Sequence, residues 1–335
     1  MEYRVLGKTG LRISAMGFGG IPIQRIDREG TRALILQLRE KGINYIDTAR
    51  GYTVSEEYLG YALEGIRQDF VLATKSMART KEAMAADILK SLQNLRTEYI
   101  DVYQIHNPSA GEWEQIVSDD GALAALQEAK AAGKIGHIGI TLHSRDLFDR
   151  ALQQDWVETI MFPYNIVENQ GAAQIAACKE KNIGFIAMKP LAGGAIENAT
   201  LAMRYVRQND AVSVIIPGMA EIAELEQNAA AMEGSPELTA EELAEIENIR
   251  NTLGTQFCRR CNYCAPCTVG ISIPGVFLME GYLSRYGLAD WAKSRYDGMR
   301  MHASDCIDCG KCEPRCPYNL PIRKMLKNAA QKFGK

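Results

Sequence analysis

The chain has 335 residues, 47% of them hydrophobic and 24% charged, with a formal net charge of −3; that is enough length and apolar content for one large domain of about 250 residues plus a smaller one. It contains no run of about 18 apolar residues, which argues against a membrane span, and no dense basic run or aromatic ladder of the kind that binds nucleic acid. Its start, MEYRVLGKTG, lacks the apolar stretch of a secretion signal, so a cytoplasmic protein is expected.

In chain order, YRVLGKTGLRIS alternates like a short hairpin, with Gly7, Lys8, Thr9 and Gly10 at its turn, and would plug the bottom of a barrel. Eight β-rich runs follow: Ser14 to Gly17, Ile43 to Asp47, Phe70 to Ser76, Ile100 to His106, Ile135 to His143, Thr159 to Tyr164, Gly184 to Pro190 and Val212 to Ile216. Segments such as KEAMAADILKSLQNLR and GALAALQEAKAAGK separate them, with apolar residues every three or four positions. Eight parallel strands with intervening helices fit a closed (β/α)8 TIM barrel, an α/β fold. An open doubly wound sheet would carry a glycine-rich first turn, and no G-x-G-x-x-G occurs here. The barrel is expected to occupy 1–255 and a second, small domain 256–335.

Eight of the nine cysteines fall in that small domain, as Cys258, Cys261, Cys264, Cys267 and then Cys306, Cys309, Cys312, Cys316 followed by Pro317. The second run is Cys-x2-Cys-x2-Cys-x3-Cys-Pro, a spacing that holds 4Fe-4S clusters because tight turns let neighbouring thiolates take corners of one cube. Two runs imply two clusters. Zinc favours two pairs of ligands across a longer spacer, and disulfides need an oxidising compartment; a reducing, anaerobic or oxygen-protected setting is expected instead. In two-cluster ferredoxins the fourth cysteine of each run ligates the other cluster, which would join Cys316 to Cys258, Cys261 and Cys264, and Cys267 to Cys306, Cys309 and Cys312; separate ligation by each run is the alternative. Between the runs, GVFLMEGYLSRYGLADWAKSRYDGMRM has helical spacing. From Cys258 onward there are 13 Lys or Arg against 6 Asp or Glu, a net +7, leaving −10 for the remainder. That basic tail suits an acidic one-electron carrier such as a ferredoxin or flavodoxin, or else a solvated surface without a partner. Cys178 reads as a buried helix thiol.

Chemistry in a barrel sits at the carboxyl ends of its strands. There the chain places Asp47, Lys75 and His106, with Tyr52 in the loop after Asp47. Any one of them could be structural, as a buried Lys-Asp pair or a satisfied histidine; together they suit carbonyl reduction. A tyrosine with an ordinary pKa of about 10 becomes a usable acid beside an ammonium. Lys75 would supply that charge, Asp47 would hold Lys75, and His106 would donate to the substrate oxygen. The hydride must come from a nicotinamide.

These residues, with LGKTGLRISAMGFGG, NYIDTARGY, LATKS, QIHNP, MKPLAGG, IIPGM and the double cysteine tail, resemble the aldo-keto reductase family, in particular members with a C-terminal ferredoxin-like domain. The resemblance implies Tyr52 as proton donor, Lys75 and Asp47 as its tuning pair and His106 as orienting group. It implies NAD(P)H across the barrel mouth, with Thr141 and Met188 at the nicotinamide, Pro190, Leu191, Gly193 and Gly194 near the pyrophosphate, and Pro217, Gly218, Gln227 and Asn228 toward the adenine. Departures from the family pattern are Leu142 after Thr141, Met161 in place of a glutamine and Met188 in place of an aromatic ring. His143, Tyr164, Asn165 and Lys189 stand as substitute contacts or as ordinary rim residues.

No Lys or Arg occurs between Arg207 and Arg250, while Glu221, Glu224 and Glu226 stand where a 2'-phosphate would meet repulsion, so NADH is expected over NADPH. Three readings follow: an NADH-dependent carbonyl reductase with electron-transferring clusters, the same reductase with purely structural clusters stapling a tail of little apolar core, and an electron-transfer module on a non-catalytic barrel. Trp113 and Phe162 are expected at the substrate mouth.

Overall fold

The structure, a computed structural model, describes every residue from Met1 to Lys335. Two compact units emerge: Met1–Asn165 with Asn169–Pro190 and Asn198–Glu237, and Ile166–Glu168 with Leu191–Glu197 and Leu238–Lys335. No helix is long and apolar enough to cross a membrane.

The first unit opens with the expected hairpin, β1 (Tyr3–Val5) antiparallel to β2 (Arg12–Ser14). Eight strands then form one parallel sheet: β3 (Phe18–Gly19), β4 (Tyr45–Asp47), β5 (Val71–Ser76), β6 (Ile100–His106), β7 (Ile135–Thr141), β8 (Thr159–Pro163), β9 (Gly184–Met188) and β10 (Val214–Ile216). Each neighbours the next in sequence, the outcome of crossovers that return through a helix. The Gly17 N–H donates to Ile215 O at 2.8 Å and the Gly19 N–H to Pro217 O at 2.9 Å, which ties β3 to β10 and closes the barrel. The first strand is therefore Phe18–Gly19, not Ser14 to Gly17: Ser14 ends the hairpin, and Ser14 Oγ with Asn44 holds that turn instead of a ladder.

Helices begin where the sequence supplies caps. Asp27 Oδ1 accepts from Gly30 N ahead of Arg28–Glu40, and Thr80 Oγ1 from Ala83 N ahead of Lys81–Asn94. Inside the barrel, Tyr45, Ala73, Val102, Met161, Ile186, Met188, Val214 and Ile216 pack with Leu6 and Ile13 of the hairpin region. Leu6 is fully buried, worth about 1.5–3 kcal/mol. Gly7 permits this plug: its φ is 52°, and an added Cβ would lie 2.2 Å from Gly184 N.

The second unit has its own core, Ile271, Ile273, Val276, Phe277, Tyr296, Leu320, Ile322 and Leu326, into which Cys264, Cys312 and Cys316 are packed. The cysteine-rich tail is thus not short of apolar side chains; the helices Ile273–Ser284 and Ile322–Phe333 bring together residues that look scattered in sequence.

Candidate active site

Lys75 and Asp47 are both buried, at 2% exposure, and the Lys75 ammonium donates to Asp47 Oδ1 and, at 2.8 Å, to Thr48 O. Asp47 Oδ2 accepts from Gln104 Nε2 at 3.0 Å. Burial pulls the Lys75 pKa down and pushes that of Asp47 up, while their mutual attraction opposes both movements. Lys75 Nζ lies 4.9 Å from the centre of the Tyr52 ring, and the Tyr52 and His106 rings meet edge to face, 6.2 Å apart at 88°. Asp47, Lys75 and His106 come from adjacent strand tops and Tyr52 from the loop after β4, because β4, β5 and β6 are in parallel register with Asp47 beside Ala73 and Lys75 beside Gln104.

Thr74 faces away from Lys75, as strand alternation requires, and donates to Glu56 Oε1 at 2.8 Å. Glu56 is buried at 1% exposure and also accepts from Arg50 at 2.6 Å and from Ser91 at 2.7 Å. A satisfied buried network therefore backs the strand that carries Lys75.

Across the strand tops, Lys189 Nζ donates to His143 Nε2 at 3.1 Å, and His143 Nδ1–H donates to Asn107 Oδ1 at 3.0 Å. The Asn107 N–H donates to Thr141 O and Oγ1, both at 3.0 Å, and Asn165 Nδ2 donates to Lys189 O at 2.9 Å. Thr141, His143, Asn165 and Lys189 thus form one hydrogen-bonded chain reaching the residue after His106. Met161 and Met188 belong to the barrel interior. Trp113 and Phe162 do not form the mouth: Phe162 points outward between Phe148 and Gly171, and Trp113 is buried against Trp156.

Pro217 O accepts from Gly19 N, and Gly218 packs on Pro22, where a Cβ would come within 2.8 Å of the ring. Gln227 is exposed on the helix Ile222–Ala230. Asn228, one residue on, is buried with its Oδ1 unpartnered inside the protein, the acceptor that the exocyclic amine of an adenine requires. Glu224 caps its own helix and pairs with Arg25 at 3.3 Å, and Glu226 pairs with Lys41 at 2.8 Å. The acidic stretch after β10 is thus met by two cations from distant sequence, which a count of nearby Lys and Arg could not register.

In the second unit the thiols line two cavities, one bounded by Cys258, Cys261, Cys264 and Cys316 and the other by Cys267, Cys306, Cys309 and Cys312. Each takes three cysteines from one run and one from the other, and none of the nine forms a disulfide. Four thiols round a common space suit a 4Fe-4S cube, which takes one thiolate per iron. Burial pushes the Cys258 thiol up to about 11 and Cys264 to about 12, so bound metal is what would hold them as thiolates. Exposed Cys309 is shifted the other way by the Thr268 hydroxyl and the Lys311 N–H. In the same unit, Leu191, Gly193 and Gly194 sit in a loop held by Arg285 Nε donating to Gly193 O at 3.3 Å. Cys178, on the helix Ala172–Glu180, is fully buried with its pKa raised to about 12.

Comparison with known proteins decides the family: the Aldo/keto reductase family profile matches residues 15–200 and 196–251. The chain belongs to the aldo/keto reductase family. A 4Fe-4S dicluster domain profile matches residues 257–321, so this aldo/keto reductase carries an iron-sulfur domain at its C-terminal end. It is 29% identical over 303 residues to L-galactose dehydrogenase of Arabidopsis thaliana, covering 74% of this chain and 94% of that one. It is 28% identical over 232 residues to NADH-specific methylglyoxal reductase of Escherichia coli, covering 60% and 70%. Among solved structures, the holo form of an aldo-keto reductase from Bacillus halodurans superposes with a TM-score of 0.65 at 27% identity, over 74% of this chain and 96% of that one.

Two contributors to this reductase's site escaped the sequence reading. Gln104 lies two residues before His106 on β6, and the strand period of two was the signal that it shares the inward face. Arg79, whose Nη2 donates to His106 O at 2.9 Å, left no such signal, since only the fold brings it there.

Proposed function

We propose that this aldo/keto reductase is an NADH-preferring reductase of small aldehydes or ketones, and that its clusters exchange electrons with a one-electron carrier or the bound substrate. The observation that carries the reading is the Lys75 ammonium, paired to Asp47 and Thr48 and 4.9 Å from the Tyr52 ring. Tyr52 Oη gives its proton to the carbonyl oxygen as negative charge develops there. Lys75 stabilises the phenolate left behind, Asp47 and Gln104 hold Lys75 in place, and His106 offers a hydrogen bond to the same oxygen. Bound nicotinamide would supply the hydride.

Thr141, His143, Asn165, Met188 and Lys189 would hold the nicotinamide end, Pro190 the pyrophosphate, and Pro217, Gly218, Gln227 and Asn228 the adenosine end. NADH over NADPH is supported by a relative named for NADH specificity, whereas Glu224 and Glu226 are already paired with Arg25 and Lys41 and count little toward it. The cysteines of the two cavities would ligate the clusters in the crossed arrangement. A second reading, in which the clusters are structural, draws support from Cys264, Cys312 and Cys316 being part of the small unit's core.

The test is an anaerobic screen of aldehydes, ketones and sugars, the last suggested by the L-galactose dehydrogenase relative. We expect a higher kcat/KM with NADH than with NADPH. Tyr52→Phe should cut turnover by about 10²–10⁴ with iron content unchanged. Undiminished turnover in that variant would overturn the reading.

A further inference from the structure

The two cavities of cysteines differ in the charge that reaches their walls. The first has one charged wall residue, Arg259. Its guanidinium lies 3.9 Å over the ring of Tyr318, another wall residue. Its hydrogen bonds go to main-chain carbonyls: Nε to Val167 O at 2.9 Å, and Nη1 to Gly254 O at 2.8 Å and Phe257 O at 3.3 Å. The neighbouring buried carboxylate, Glu168, is committed to Arg260 at 2.5 Å. Arg259 is therefore fixed in place and forms no ion pair of its own, although the Glu168 carboxylate also acts on its charge from a distance.

The second cavity is lined by Lys311 and Arg323. Arg323 is neutralised by Glu313 at 2.8 Å and Asp308 at 3.5 Å, and Lys311 is exposed, as is Cys309. Water screens an exposed ammonium far more than a guanidinium packed into a wall. Exposure of Cys309 favours the reduced state of its cluster, but only through one of four ligands.

We propose that Arg259 acts on one cluster alone and makes the cluster held by Cys258, Cys261, Cys264 and Cys316 the easier of the two to reduce. Iron-sulfur potentials follow net charge, hydrogen bonds to sulfur and solvent exposure. A fixed positive charge favours the added electron. The inference rests on the electron-transfer reading above. Each cluster takes one electron from a one-electron donor, here dithionite radical anion, which is oxidised; no bond within the protein forms or breaks.

The experiment is an anaerobic redox titration of the full-length iron-loaded protein, followed by EPR, with iron and sulfide quantified in every sample. The parent protein should show two resolved one-electron steps. In Arg259→Gln the higher-potential step should move down alone, lowering the reduced-to-oxidised ratio at a fixed potential about tenfold, about 59 mV. Arg259→Lys should move the same step in the same sense by less, and Lys311→Gln should move only the lower step. If Arg259→Gln loads poorly, the splitting in the parent protein, Arg259→Lys and Lys311→Gln together decide the matter. A single unresolved step, or an Arg259 variant that moves the lower step, both steps or neither, would overturn the proposal. Full iron content with no reduction by dithionite would overturn the electron-transfer reading and this proposal with it.

Discussion

Lys75 is asked to stay a cation where almost no water reaches it, and Asp47 is what makes that affordable. Removing one partner of a buried pair strands the other, at a cost of about 3–5 kcal/mol. Lys75→Met should therefore destabilise the protein by that amount in urea unfolding and lower kcat at least about 100-fold. Adding Asp47→Asn should recover most of the stability and none of the turnover. Recovery of both would mean that the pair is only structural. At this scale Asp47, Lys75 and His106 were legible because each ends a strand, and Tyr52 because it follows in the next loop. Gln104, Arg79 and the Glu56 network were not, because nothing local marks which polar groups a barrel turns toward one another.

The strands were legible as apolar runs, since strands covered on both faces lose the polar alternation that would blur them. Their ends were less so: β10 is Val214–Ile216 where the run began at Val212, and the first strand lies beyond Gly17 because Ser14 belongs to the hairpin. Between elements, Glu158 locks β7 to β8, accepting from the Ile138 N–H at 2.9 Å, His137 at 2.7 Å and Lys130 at 2.6 Å. Burial would raise its pKa, but these donors outweigh it and bring Glu158 from 4.5 to about 2. The stabilisation is complete above pH 4.5 and disappears as pH falls toward 2. Glu158→Gln should accordingly flatten the dependence of the urea midpoint on pH within that window. An unchanged slope would show that Glu158 contributes nothing to it.

For the molecule as a whole, the question is how two cysteine runs share two clusters. Under crossed ligation Cys258 and Cys316 serve the same cluster. Cys316→Ser should then cost about half the iron, and the double variant Cys258→Ser with Cys316→Ser should lose little more. If each run kept its own cluster, the double variant would lose nearly all of it. Because Cys264, Cys312 and Cys316 sit inside the small unit's core, the loss should also lower the thermal midpoint.

Spacing along the chain was enough to identify the barrel, the quartet at its strand ends and the iron-binding tail, because period, strand-end placement and tight cysteine turns are all local properties. Tertiary structure alone decided which thiols face a common space, that Arg25 and Lys41 meet Glu224 and Glu226, that Phe162 turns outward, and that Glu168 forms its ion pair with Arg260 and not with Arg259. These are contacts between residues far apart in sequence, and which partner a buried charge finds depends on the path of the folded chain.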